Sequence, residues 1–299
     1  MTNTEDKDWH TILGHPSDSY LKHLFKEGKI KGKFKPSKDC QICQKAKIQN
    51  RPHNRALPSS TTAFHRLHTD TLEITPVTTQ GIKYVFVIVD DYSRYNHVYL
   101  MTNKSQAQGN IMAFVNEIHN KVNVKPAFLH TDRGGEFDST LFRQFLFNKG
   151  ISLERGPANS PQTNGISERF NQTLFTKICC LLAQSKIPIR LWNEAAKHSS
   201  LLLNLLPHKA IGMNSPSEVL SLKNMTLEAL IKLERLIPFG LKKTVHVQKT
   251  SSKLALRGDT LRALTFEEYS DSMRFYDENL KNIQVTRDFS SPNIPVNRT

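Results

Sequence analysis

Between residues 66 and 155 the chain reads strand, strand, strand, helix, strand, helix, strand, and this order restricts its fold more than any other feature. Residues 66–74, 84–90 and 95–101 are short runs rich in β-branched and aromatic side chains, with turn material between them. In 105–120, Ile111, Phe114, Val115 and Ile118 recur at three- and four-residue spacing, which predicts a helix with one apolar face. PAFLHTD at 126–132 reads as a strand opened by Pro126. A helix follows from Ser139 to Lys149, ended by Gly150, and then the short strand ISLER. Longer helical patterns cover 161–184 and 189–206, the second stopping before Pro207. Such an alternation builds an α/β layered domain.

Two regions flank it. Residues 1–57 are rich in Lys, His and Cys, carry a helical pattern near Ser17 to Lys26, and end at the linker LPSSTT. The middle region is taken as 58–225. Residues 226–299 are basic and lose helical periodicity; 244–248, 260–266 and 282–286 read as strands of a small β module, with a barrel as its candidate form. The 41 Lys and Arg against 27 Asp and Glu leave a formal charge of +14, concentrated in 45–55 and 242–262, which points to nucleic acid as partner. No apolar stretch is long enough to cross a membrane, and the acidic start MTNTEDKDW has no signal-peptide core. The expectation is a soluble intracellular protein.

Four cysteines are too few for a disulfide framework. Cys179 and Cys180 lie in a helical pattern and read as buried thiols. Cys40 and Cys43 instead have metal-ligand spacing, as do His10 and His15, with twenty-four residues between the two pairs. Zinc in structural sites takes four such imidazole and thiolate ligands, leaving no open position for chemistry. A short region with few large apolar side chains would gain folding free energy directly from that metal. His23 and His53 lie nearby and are set aside.

The tetrapeptide LHTD occurs at 67–70 and again at 129–132, with unrelated flanks that exclude an internal repeat. Each copy delivers an aspartate: Asp70 lies within the alternating run HRLHTDTLEI, and Asp132 stands where an apolar strand ends and Gly134 and Gly135 follow. Glu168 lies in the 161–184 helix, away from the stripe Ile166, Phe170, Leu174 and Ile178. Two Asp on strands and one Glu on a packed helix suit phosphoryl transfer by two Mg²⁺ ions. Spacing alone does not separate them from ordinary solvated acids, which is how Asp90 and Asp91 read.

Surrounding motifs do separate them. Asp70, Asp132 and Glu168, with thirty-five residues between the last two, resemble the D,D-35-E triad of retroviral and retrotransposon integrases. WHTILGHPS, CQIC, GIKYVFVIVDDYSRYNHVYLM, TDRGGEF, SPQTNGISERFNQTL and IPIRLWNEAAKHSSLLLNLLP resemble successive blocks of copia-type LTR retrotransposon integrases, in the same order. Departures are Gln44 in place of Gly, His53 in place of Phe, LEITPV without Gly-Pro, Leu205 in place of Arg, and RDFSSPN near the end. None touches the triad or the His/Cys set.

The resemblance implies an RNase H-like core with a mixed five-stranded sheet flanked by helices, a small helical HHCC zinc domain and a basic C-terminal β-rich module. It implies strand transfer dependent on Mg²⁺ or Mn²⁺, in which a cDNA 3′-hydroxyl attacks target DNA, with 3′-end processing as a companion activity. Asp70 would bridge both ions, with Asp132 and Glu168 each holding one. Asn164 and Gly165 would shape the loop beside the scissile phosphate, and Arg169, Lys177, Lys242 and Lys243 are candidate DNA contacts. Partners implied are element cDNA ends, target DNA, further copies of the chain and a chromatin tethering factor, with no membrane. The implied location is the nucleus, reached through the cytoplasm in a virus-like particle. The chain, opening on its own Met, reads as an excised domain, a truncated element or a relic reading frame. The rival readings are an inactive or domesticated DNA-binding relic and a hydrolytic nuclease of the same superfold.

Overall fold

A computed structural model describes residues 8–32, 34, 36, 40–47, 60–131, 135–155, 165–225, 233–246, 257–267 and 270–290. The strand runs of the middle region form one mixed sheet in the order β3-β2-β1-β4-β5. Its strands are β1 (Arg66–Glu73), β2 (Tyr84–Asp90), β3 (Asn96–Met101), β4 (Phe128–Thr131) and β5 (Ser152–Arg155). β1, β2 and β3 pair antiparallel, as closely spaced strands must, whereas β4 and β5 join in parallel after helical crossovers. This is the five-stranded mixed sheet flanked by helices expected of the resemblance.

Both faces are covered, so β2 is apolar on both sides. Phe86, Ile88, Leu67 and Leu129 pack against Ile111, Phe114, Val115 and Ile118 of α4 (Gln106–Val122) and Phe142 and Leu146 of α5 (Thr140–Lys149). On the other face Val85, Val87 and Val89 meet Leu174, Ile178 and Leu181 of α6 (Gly165–Ser185), and Ala195 and Ala196 of α7 (Trp192–Leu205). Local chemistry sets the helix ends. Ser139 caps α5 by accepting a hydrogen bond from Phe142 N, and Gly150 closes it at φ +69°. A capping box of Ser215 and Glu218 with Pro216 opens α8 (Pro216–Leu222). α7 starts later than its periodicity predicts, because Ile189–Leu191 forms a 3₁₀ turn after Pro188.

The C-terminal strands are β6 (Lys242–His246), β7 (Gly258–Phe266), β8 (Met273–Asp277) and β9 (Asn282–Thr286), an antiparallel sheet in that order. β8 was not among the predicted strands. Beyond β9 the chain returns to β6, where Val245 bridges Phe289, and His246 N and Ser290 N donate to Asp288 O and Thr244 O. The sheet is thereby closed into a ring.

At the N-terminus, α1 (Trp9–Ile12), α2 (Asp18–Lys26) and α3 (Gln41–Ala46) bury Trp9, Ile12, Leu13, Leu21 and Leu24. These pack with Leu202 and Leu206 at the end of α7, with Leu236 and Ile237, and with Val245, Leu261 and Phe275 of the C-terminal sheet. The two flanking regions therefore share a core with the middle region. Each such side chain contributes about 1.5–3 kcal/mol on burial, so an apolar seam of this kind favours fixed placement over tethered motion. Ion pairing reinforces it. Glu194 of α7, 1% exposed, accepts two hydrogen bonds from Arg274 of β8, at 2.7 and 3.0 Å. Among the described residues no helix is long and apolar enough to cross a membrane.

Candidate active site and metal centre

The two LHTD words lie side by side. β1 and β4 pair in parallel with Leu67 opposite Leu129 and His68 opposite His130, and Thr69 Oγ1 donates to His130 O at 3.3 Å. The described part of β4 ends at buried Thr131; Asp132 lies outside the described residues, as does Asn164.

Asp70 is half-buried on β1. Its Oδ1 accepts from Thr71 N at 2.8 Å, and its Oδ2 accepts from Asn171 Nδ2 at 2.7 Å. Asn171 stands one turn beyond Glu168 on α6, so both residues share the helix face that addresses Asp70. Asn171 is 6% exposed and its Oδ1 is buried without a hydrogen-bond partner. Sequence reasoning missed this residue. Its signal was available: an amide three residues from Glu168 and off the apolar stripe. Glu168 itself is exposed in the first turn of α6, where the helix dipole favours a carboxylate, and Gly165 begins that turn.

Arg169 is exposed next to Glu168. Lys177 corrects the expectation of a DNA contact. It is 6% exposed, and its Nζ donates to Gly14 O at 2.8 Å and Leu13 O at 3.3 Å. Burial holds its ammonium down at about 7. Lys242 is exposed on β6 and lies 3.7 Å from Glu278 Oε2; Lys243 is half-buried, which lowers its ammonium.

Asp90 and Asp91 also overturn their sequence reading as solvated acids, being 1% and 2% exposed. Asp90 accepts from Phe64 N, Ser93 N and Ser93 Oγ, fixing the turn after β2; burial pushes its carboxyl up to about 6 against the pull of those donors. Asp91 accepts from Ser60 N and sits 3.4 Å from Arg94 Nη1 and 3.9 Å from Arg66 Nη1. It also approaches His68 Nε2 at 3.9 Å. Burial holds His68 at about 4 and lowers His130, so both rings are neutral near pH 7. Their centroids are 5.2 Å apart.

About the N-terminal helices, His10, His15, Cys40 and Cys43 bring one donor atom each within 4.8 Å of one another. Gly14 and His15 both adopt left-handed backbone, φ +65° and +61°, and this turn returns the His15 ring to His10. His15 Nδ1 lies 3.1 Å from His10 Nε2, 3.4 Å from Cys40 Sγ and 3.6 Å from Cys43 Sγ; His10 Nε2 lies 3.2 Å from Cys43 Sγ. Zn–N of about 2.0–2.1 Å and Zn–S of about 2.3 Å in a tetrahedron place neighbouring donors roughly 3.3–3.8 Å apart. Those four spacings come within a few tenths of an ångström of that shell, and no pair in the set exceeds 4.8 Å. Burial holds His10 down at about 4 and lowers His15, leaving neutral imidazoles able to ligate. Burial raises the Cys43 thiol, which a bound cation would deprotonate. His23, on α2, is outside this group, and His53 is outside the described residues.

Residues 60–161 match the family model "Integrase core domain", and residues 2–48 match the "GAG-pre-integrase domain". The chain is 26% identical over 217 residues to the retrovirus-related Pol polyprotein from transposon RE2 of Arabidopsis thaliana, covering 71% of this chain and 15% of that protein. It is 27% identical over 243 residues to the corresponding polyprotein from transposon TNT 1-94 of Nicotiana tabacum, covering 81% and 18%. The chain thus spans less than a fifth of these curated relatives. A solved structure of the HTLV-2 integrase catalytic core domain in complex with magnesium (trimeric form) aligns with TM-score 0.41 and 20% identity, over 53% of this chain and 97% of that one.

Proposed function

We propose that this chain, a relative of the copia-type retrotransposon integrases, is the integrase segment of such a polyprotein and joins 3′ ends of element cDNA to target DNA. The observation that carries this reading is the Asp70–Asn171 hydrogen bond, which ties the strand acid to the helix turn bearing Glu168. Asp132 completes the set on the proposal, following Thr131 directly in the chain.

The donor set fits Mg²⁺ or Mn²⁺, which prefer carboxylate oxygens and retain water or phosphate oxygens as further ligands. When bound, such ions would neutralise charge on the attacking and leaving oxygens of an in-line displacement. The chain's own part is to hold the acceptors still. Asn171 fixes one Asp70 oxygen, the Thr71 amide fixes the other, and the buried His68 and Thr69 lock the strand beneath. Glu168 and Arg169 are exposed neighbours of opposite charge at the start of α6, and Arg169 is assigned to DNA phosphate. Gly165 and Asn164 are assigned to the loop beside the scissile phosphate. Lys242 and Lys243 add sequence-tolerant, salt-sensitive affinity for DNA. His10, His15, Cys40 and Cys43 are assigned a structural Zn²⁺. Work on two cDNA ends calls for a multimer, and the proposed place of action is the nucleus.

The test is strand transfer by the purified chain on a labelled LTR-end duplex with Mg²⁺. Joined products from wild type, and none from Asp132→Asn with DNA binding retained, are expected. Joining by the Asp132→Asn variant would sink the assignment. Shortened DNA without joined products would mark a nuclease, and binding without any reaction a relic.

A further inference from the structure

The helix that carries Glu168 also reaches the His/Cys cluster. Gln184, in the last turn of α6, accepts a hydrogen bond through Oε1 from His15 Nε2 at 2.8 Å. That bond keeps the ring proton on Nε2 and leaves the Nδ1 lone pair aimed at His10 and the two thiols. Seven residues earlier, on the same face of α6, Lys177 donates to the carbonyls of Gly14 and Leu13, immediately before His15. The contact is close: a Cβ added at Gly14 would lie 2.7 Å from Leu202 Cδ1 and 3.4 Å from Lys177 Cγ. α3, which carries Cys43, packs on the same helix. His10, by contrast, has a buried Nδ1 with no hydrogen-bond partner.

We propose that Gln184 and Lys177 are the outer supports of the His10/His15/Cys40/Cys43 metal site, so that metal binding and docking of the N-terminal helices onto α6 are one event. The proposal rests on the zinc reading given above. In an autonomous site the partner of His15 Nε2 would come from the same fifty-residue region. Here it comes from a residue 169 positions away in the chain. Ligand orientation therefore depends on the docked state, and by linkage the metal stabilises docking by the same free energy. Cys180 lies between the two supports on this face, but it does not belong to the ligand group, and burial pushes its thiol up to about 11.

Co²⁺ titration of the full chain, read by its visible ligand-field bands and by competition with a chromophoric chelator, tests this. Wild type should give the intense bands of a tetrahedral site with two thiolates, and Cys43→Ser should lose them. Gln184→Leu should keep the band shape while weakening Co²⁺ and Zn²⁺ affinity about 10–100-fold. Gln184→Glu, which keeps an acceptor, should restore it. Hydrogen exchange of wild type should quicken at residues 177–185 when the metal is removed by chelation. Equal affinity of Gln184→Leu and wild type, or exchange in α6 indifferent to the metal, would overturn the coupling while leaving the zinc site standing. Absence of tetrahedral bands in wild type would remove the zinc reading itself and the inference with it.

Discussion

His198 is a buried imidazole whose cost can be worked out. It lies on α7 with no exposed surface, its ring centroid 5.5 Å from that of Phe239, and neither ring nitrogen has a hydrogen-bond partner. Burial, and after it the charge of Lys177, hold the side chain down at about 3. The unfolded imidazole titrates near 6.5, so between those values the unfolded chain binds a proton that the folded chain refuses. Its share of stability is thus complete above pH 6.5 and falls away as the pH drops toward 3. At pH 5 the unfolded side chain is about 1.5 units below its midpoint, which costs the fold about 2 kcal/mol relative to pH 7. His198→Leu, close in volume, removes both the titration and the two unpaired nitrogens. Urea unfolding at pH 7 and pH 5, followed through the buried Trp9 and Trp192, measures the effect. The wild type should lose about 2 kcal/mol more than the variant between the two pH values. The metal site and the other histidines titrate in both proteins and cancel in that difference. Equal losses would refute the argument.

Asn171→Ala should cut metal-dependent joining about 10–100-fold, the equivalent of one charge-assisted hydrogen bond, with urea stability little changed; undiminished joining would remove Asn171 from the site. Arg169→Glu, on the surface, should weaken DNA binding on all sequences and shrink the salt slope by about one charge, read by anisotropy across salt concentrations. Glu194→Gln leaves Arg274 without its buried carboxylate and should cost roughly 3–5 kcal/mol in denaturant unfolding. Gly240→Ala sets a Cβ 2.3 Å from Ser185 Cβ at φ +81° and should lower the unfolding midpoint clearly, by about 2 kcal/mol or more.

Patterns internal to one segment were legible in the sequence. The order of strands and helices through 66–155, the stripe of α4 and the capped ends of α5 follow from local spacing. So does the His/Cys set, because paired ligands carry their own signature. What escaped depends on partners distant in the chain. Lys177 looked like a solvated helix charge because the carbonyls that bury it belong to residues 163 and 164 positions earlier. Asp91 looked ordinary because Ser60 and Arg66 reach it only in the folded chain, where they join Arg94 three residues on. Asn171 was overlooked because an amide has no titration signature, and its partner is a hundred residues upstream. β8 was missed although it is as long as β6 and β9, because its place between β7 and β9 is set by pairing. The shared core of the flanking regions is likewise invisible to composition, since Leu202 and Leu206 read only as helix-face residues.

The closure of the C-terminal sheet has a consequence for solubility. An open antiparallel sheet exposes a row of unpaired amides and carbonyls on each outer strand, a template for pairing with another chain. In the central sheet the outer strand β5 is four residues long and carries Glu154 and Arg155, which blunts it. Among the described residues, β6 is flanked by β7 on one side and meets the stretch from Asp288 to Ser290 on the other. That short return, which looks like a trailing end, is what keeps the fourfold strand array from offering its backbone to a neighbour.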